Sequence, residues 1–249
     1  MPSEKTSKGE KIVDIIEKII DRVFILFFTL ILLFCAYAIY DSATVYEGAN
    51  LSKEVLANVK EENNTVESVD LEALRKINDE LIAWISIDNS EISFPVMQSE
   101  DDRFYLTHDI YRNYAFTGSI FMSSKNAGDF SDDYSLIYGH NMNGQKMFGS
   151  LSKWSDEAYF DSHTHGKLFT PDGTYDIELI AYLETTKDNN LVYKIENTRS
   201  GYNNQILAEL DANAIHNRGY DENAQILALS TCLGQGGDRA LLFFNFSKN

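Results

Sequence analysis

The stretch Gln225–Phe246, QILALSTCLGQGGDRALLFFNF, consists of two apolar runs separated by a polar, glycine-rich loop. Gln225 to Leu229 and Ala240 to Phe246 are rich in branched and aromatic residues and short enough to be strands, and Gly234, Gly236, Gly237 and Asp238 supply the turn between them. If these runs pair as neighbours, Arg239 returns beside Cys232. The same signals recur upstream. Short β-rich runs lie at Trp84–Ile87, Ile92–Val96, Gly118–Met122, Ser135–Tyr138, Gly166–Thr170, Tyr175–Leu183 and Leu191–Ile195. Turn residues separate them, among them Asp88-Asn89, Gly128-Asp129, Asn143-Gly144 and Pro171-Asp172-Gly173. Eight or so short strands with such spacing predict a mainly β protein built on a closed or nearly closed barrel. Three helical segments accompany them. One spans about residues 71–81, with Asp70 as N-cap and a Val69–Leu74 staple, a second lies near Met147–Tyr159, and a third runs from Asn203 to about Ala214 with Ile206, Leu207 and Leu210 as its packing stripe.

One apolar run stands apart from this pattern. Val23 to Tyr40, VFILFFTLILLFCAYAIY, carries no charge over 18 residues. At 1.5 Å per residue it spans roughly 27 Å, close to the hydrocarbon thickness of a bilayer. It exceeds the h-region of a signal peptide, and no small-residue cleavage site follows it, so it reads as a single membrane anchor. Lys5, Lys8, Lys11, Lys18 and Arg22 precede it, whereas the next lysine after it is Lys53. The positive-inside rule therefore expects residues 1–22 in the cytoplasm and the chain after 23–40 outside, with 41–69 as an extracellular stalk and 70–249 as the folded domain.

Net charge is -17. Five basic and five acidic residues cancel within 1–22, so the excess belongs to the exported part, and such a surface argues against nucleic acid as a partner because phosphate contacts require clustered Lys and Arg. The chain has two cysteines. Cys35 lies in the apolar run and reads as a packing or lipid-facing residue, which leaves Cys232 unpaired in an exported domain. Such a cysteine signals either intermolecular pairing or a reactive thiol.

Among five histidines, His140 has the setting of a working residue. It follows the run Ser135–Tyr138 and the break at Gly139, as Cys232 follows Gln225–Leu229, so two strand ends could bring imidazole and thiol together. A thiol of ordinary pKa is only a few per cent thiolate at neutral pH, and a nearby imidazolium or guanidinium raises that fraction. Arg239 is open to two readings, a solvated strand-end cation or a group stabilising a thiolate or an oxyanion. His108 reads as a structural, partner-bonded histidine. His163-Thr164-His165 has no third ligand at useful spacing and reads as a surface loop, and GQGG lacks the context of a phosphate cradle. Nothing in the pattern calls for a metal or cofactor.

Taken in order, Ala83-Trp84-Ile85-Ser86-Ile87, Phe94-Pro95-Val96-Met97-Gln98, Tyr105-Leu106-Thr107-His108-Asp109, Gly118–Met122, Ile137–Met142, Met147–Leu151 and Leu229-Ser230-Thr231-Cys232 resemble the class B sortases over about residues 70–246. The resemblance implies an eight-stranded sortase β-barrel with an N-terminal helical addition and a long helix before the cysteine strand. It also implies a membrane-anchored cysteine transpeptidase of Gram-positive bacteria. In that family the cysteine attacks the Thr carbonyl of a C-terminal sorting motif, and the thioester is resolved by an amino group of a peptidoglycan precursor. Carried across, Cys232 is the nucleophile, His140 the general acid/base and Arg239 the substrate-positioning or oxyanion cation, while Leu106, Tyr138 and Ser230 match positions lining the substrate groove. The seven-residue spacing from Cys232 to Arg239 is at the short end for the family. On the residues alone, an exported cysteine peptidase acting with water and a non-catalytic peptide-binding module remain open.

Overall fold

The structure, a computed structural model, describes residues 8–195, 202–233 and 236–248. It divides into two units, Met1–Glu47 and Gly48–Asn249. The first is helix α1, Lys8–Gly48, which includes the apolar run and is long and apolar enough to cross a membrane.

In the second unit eight strands close a barrel. They are β1 (Leu81–Ile87), β2 (Ser93–Met97), β3 (Ile120–Met122), β4 (Tyr134–Tyr138), β5 (His165–Thr170), β6 (Gly173–Thr186), β7 (Gln225–Leu233) and β8 (Asp238–Lys248). Around the sheet the order is β6, β8, β7, β4, β3, β2, β1, β5, and the ring closes because β5 also pairs with β6. The 14 residues of β6 make this possible, since Gly173–Glu178 pair with β5 while Tyr175–Thr186 pair with β8. All pairs are antiparallel except β2–β3 and β4–β7.

The apolar runs are continuous because both faces of the sheet are covered. Successive side chains on a strand point to opposite faces. Along β7 and β8, Leu227, Leu229, Leu242 and Phe244 fill the barrel interior with Ile85, Val96, Ile137 and Leu179. Their alternates Ile226, Ala228, Leu241 and Phe243 pack outside against Ile206, Leu207 and Leu210. These three leucine and isoleucine residues lie on helix α4, Tyr202–Asn213, so the stripe is a packing face as its sequence predicts. Each such buried side chain contributes roughly 1.5–3 kcal/mol. A third cluster covers the other outer wall, where Val55, Val66, Leu71 and Leu74 meet Leu81, Trp84, Met97 and Phe121.

Four expectations change. Residues 48–69, expected as stalk, belong to the folded unit: they form a short helix, Lys53–Leu56, and a hairpin of Val59–Glu62 with Thr65–Val69, and Val55 and Val66 are buried. Helix α2, Leu71–Ile77, ends there rather than at 81, because the buried Asn78 side chain donates to the Tyr105 hydroxyl and the Ile110 carbonyl, which pulls the chain into β1. Its Asp70 cap is as expected, accepting from the Ala73 amide. Leu191–Ile195 is not a strand: Asn190–Tyr193 is a helical turn capped by the Asn189 side chain, which accepts from the Leu191 and Val192 amides. The 147–159 insert is a 3-10 segment, Phe148–Ser155, followed by α3, Glu157–Ser162.

Candidate active site

Register places the site. In the antiparallel β7–β8 pair Cys232 is opposite Arg239, and in the parallel β4–β7 pair Ser230 is opposite Tyr138. Directly opposed residues have Cβ atoms roughly 4.5–5.5 Å apart and share a face. By the alternation of the strands, Ser230, Cys232, Arg239 and Tyr138 are in phase with Ala228, Leu241 and Leu136, and so belong to the outer wall of the barrel. Strand β7 continues through Leu233, so Cys232 stands on its last rungs rather than past its end. Gly234 and Gln235 of the following loop lie outside the described residues.

A ladder of hydrogen bonds fastens the histidine segment to the cysteine segment. The Gly139 amide donates to the Ser230 carbonyl at 3.1 Å, and the Thr231 hydroxyl donates to the Gly139 carbonyl at 2.8 Å. The Asn141 side-chain amide donates to the Cys232 carbonyl at 2.7 Å. Residues on both sides of His140 are thus held to Ser230, Thr231 and Cys232. His140 Nε2 lies 2.8 Å from the Leu106 carbonyl oxygen. A carbonyl only accepts, so Nε2 carries a hydrogen in this arrangement, and in the neutral ring Nδ1 is the basic nitrogen.

Leu106, Tyr138, His140, Ser230, Cys232 and Arg239 all line one groove of about 300 Å³. Every site residue expected from the sequence is therefore brought to one place. Five residues not expected from the sequence also line it: Tyr193, Lys187, Asp102, Phe121 and Thr231. Tyr193 reaches the groove from the turn misread as a strand, and its hydroxyl is 2.9 Å from Ser230 Oγ. Burial pushes its phenol up to about 12, against the smaller opposing effects of the Ser230 bond and the Arg239 charge. It is thus a neutral hydrogen-bonding wall near neutral pH. Burial and then the Asp102 carboxylate likewise raise the Tyr138 phenol. Arg239 donates to the Asp238 carbonyl at 3.0 Å and, among the described residues, has no carboxylate partner. Its guanidinium fork is largely free for a ligand.

The remaining histidines have other work. His108 bonds the Phe104 carbonyl and stacks on the Phe104 ring at 4.1 Å, a structural role as expected. His163 stacks on Tyr159 at 3.7 Å and bonds the Asn89 carbonyl, so it packs rather than standing in a surface loop. Among the described residues no cluster of three His, Cys, Asp or Glu has metal-site geometry. Both cysteines are free thiols.

Gly139 is fixed by space. A Cβ there would lie 2.5 Å from Ile120 Cδ1 and 2.6 Å from the Phe148 ring, both buried. Gly139→Ala is expected to cost about 1–3 kcal/mol in stability, the usual cost of overpacking. Its activity should fall further than this, because Gly139 carries two of the bonds that place His140. Denaturant unfolding and turnover measured well below the unfolding midpoint check both; unchanged values for each would show that the neighbouring rings simply yield.

No protein-family model matches the chain. Sequence comparison finds Sortase B of Listeria monocytogenes, 32% identical over 148 residues, covering 59% of this chain and 57% of that protein. It also finds Sortase B of Staphylococcus aureus, 29% identical over 164 residues, covering 65% of this chain and 66% of that protein. The matched regions thus span between half and two thirds of those relatives' lengths. Among solved structures, a class B sortase of Streptococcus pyogenes involved in pilus biogenesis superposes with a TM-score of 0.66 at 25% identity, covering 72% of this chain and 98% of that one. Closed barrel, helical additions, motif order and these relatives agree in supporting a class B sortase.

Proposed function

We propose that the protein is a membrane-anchored cysteine transpeptidase. In this reading it cleaves a C-terminal sorting motif after Thr and joins the new carboxyl end to an amino group of a peptidoglycan precursor. The observation that carries the reading is the convergence of Cys232, His140 and Arg239 on one groove of the outer barrel wall. The Cys232 thiolate attacks the scissile carbonyl, and the developing oxyanion lies toward the Arg239 guanidinium. His140 gives a proton to the leaving amine as the tetrahedral species collapses to the thioester, then takes one from the incoming amine. Leu106, Tyr138 and Ser230, with Tyr193, form the walls that hold the peptide. Surface proteins bearing sorting signals and the peptidoglycan amine are the two substrates. Residues 1–22 are cytoplasmic, the helix crosses the membrane at 23–40, and the folded unit from Gly48 is extracellular.

Incubating the full chain in detergent with a sorting-motif peptide, with and without an amine acceptor, tests this. A ligated product and a faster reaction with the amine are expected. Cleavage to the free acid at a rate the amine does not change would favour a peptidase acting with water. The rate should also fall toward both low and high pH, since thiolate and imidazolium must coexist. A flat profile would count against this pair.

A further inference from the structure

Outside α1, the two most exposed large apolar side chains among the described residues are Tyr114, 74% exposed, and Phe116, 70% exposed. Both lie on the loop from Thr107 to Thr117, between Leu106 of the groove wall and β3. The loop is held rigidly. Asp109 accepts from the Tyr111 and Asn113 amides, each at 2.9 Å, and a bridge pairs His108 with Tyr114. The Arg112 guanidinium is paired with Asp79 at 2.6 Å and Glu80 at 3.3 Å. A frame this well bonded does not expose aromatic rings through slackness; it presents them. The segment Tyr111–Phe116, YRNYAF, contains no carboxylate.

The loop is also tied to the chain that leaves the membrane helix. The Tyr111 hydroxyl is 2.6 Å from Ser52 Oγ and donates to Glu54 at 3.2 Å, and Leu56, 48% exposed, follows in the same short helix. Ser52 is four residues beyond Gly48, where α1 ends. With the membrane span taken as 23–40, helical residues 41–48 add about 12 Å, and four extended residues add at most about 14 Å. The headgroup layer itself takes up roughly 5–8 Å on each side of the hydrocarbon. The loop is therefore within reach of the bilayer surface by chain length alone. Tyrosine and phenylalanine suit that zone, where an apolar ring body meets a polar boundary.

We propose that the Tyr111–Phe116 loop is a bilayer-contact surface, with Tyr114 and Phe116 entering the headgroup region of the membrane that α1 spans. The inference rests on the reading of α1 as a membrane helix. Its consequence is positional: Leu106, which immediately precedes this loop and holds His140 by its carbonyl, would fix the groove at a set height above the lipid.

Tryptophan fluorescence tests it in the full chain reconstituted in phosphatidylcholine vesicles. Trp84 and Trp154 are fully buried, so a Tyr114→Trp variant adds one reporter that difference spectra isolate. Bromine on the acyl chain near the headgroup is expected to quench the new emission at least twofold, with little quenching by aqueous iodide. Phe116→Trp should behave alike, which guards against one variant disturbing the loop. Iodide quenching without a bromolipid effect would overturn the proposal by placing the loop in water. Shielding from both quenchers would overturn it by showing a protein covering. Retention of the chain by vesicles after an alkaline wash is scored separately; release would remove the membrane reading of α1 itself and this inference with it.

Discussion

Cys232→Ala is expected to abolish both cleavage and ligation, leaving at most a background about 10³–10⁴ below the parent, while the protein still folds and still occupies its groove with peptide. The nucleophile forms a covalent bond, so no neighbouring group can substitute for its chemistry. The fold should tolerate the change. Cys232 is a half-buried small side chain near a strand end, with no disulfide to lose. The loss of a thiol from such a position falls within the ordinary range for near-surface substitutions. Mass spectrometry of the parent with a slow substrate should show one acyl adduct, on the peptide containing Cys232, and the variant should show none. Turnover above about a tenth of the parent would place the nucleophile elsewhere. Peptide affinity unchanged in the variant separates loss of chemistry from loss of binding.

Arg239→Ala is expected to lower kcat by about 10²–10³, the effect of removing one preorganised oxyanion donor. Its position opposite Cys232 is set by backbone register, so truncation should leave the thiol in place. The outcome distinguishes two roles. If the guanidinium meets charge that develops only in the transition state, kcat falls and KM is steady; if it clamps the peptide in the ground state, KM rises instead. Arg239→Lys keeps the charge but loses the planar fork, and recovery of less than tenfold is expected. Full activity in the alanine variant would return Arg239 to a solvated strand-end cation.

The last two strands were legible because both their faces are buried, which leaves an unbroken apolar run bounded by turn residues. From their pairing, the meeting of Cys232 and Arg239 followed without any knowledge of the rest. His140 was legible by the same logic of strand ends. Leu106, Tyr138 and Ser230 were reached only through family resemblance, because a groove wall has no local signature. Tyr193 was missed for a physical reason. Leu191–Ile195 has strand composition, but the Asn189 side chain caps the amides of Leu191 and Val192 and turns the segment helical. The folding of residues 48–69 onto the barrel was hidden because, among the described residues of that polar stretch, only Ala49, Val55 and Val66 are buried, too few to create a periodic signal.

The ladder between the Gly139 and Cys232 segments joins residues 91 and 92 positions apart in the chain. Contacts so distant form late, since a large loop must close before they return any free energy. A chain still emerging or unfolded would therefore have no guanidinium across from Cys232 and no carbonyl partner for His140. Insertion of the C-terminal hairpin between β4 and β6 completes the barrel and the groove lined by Cys232, His140 and Arg239 in the same step. Closure of the barrel and assembly of the groove are thus one event in this topology, because the side chains meet only where the last hairpin has joined β4 to β6.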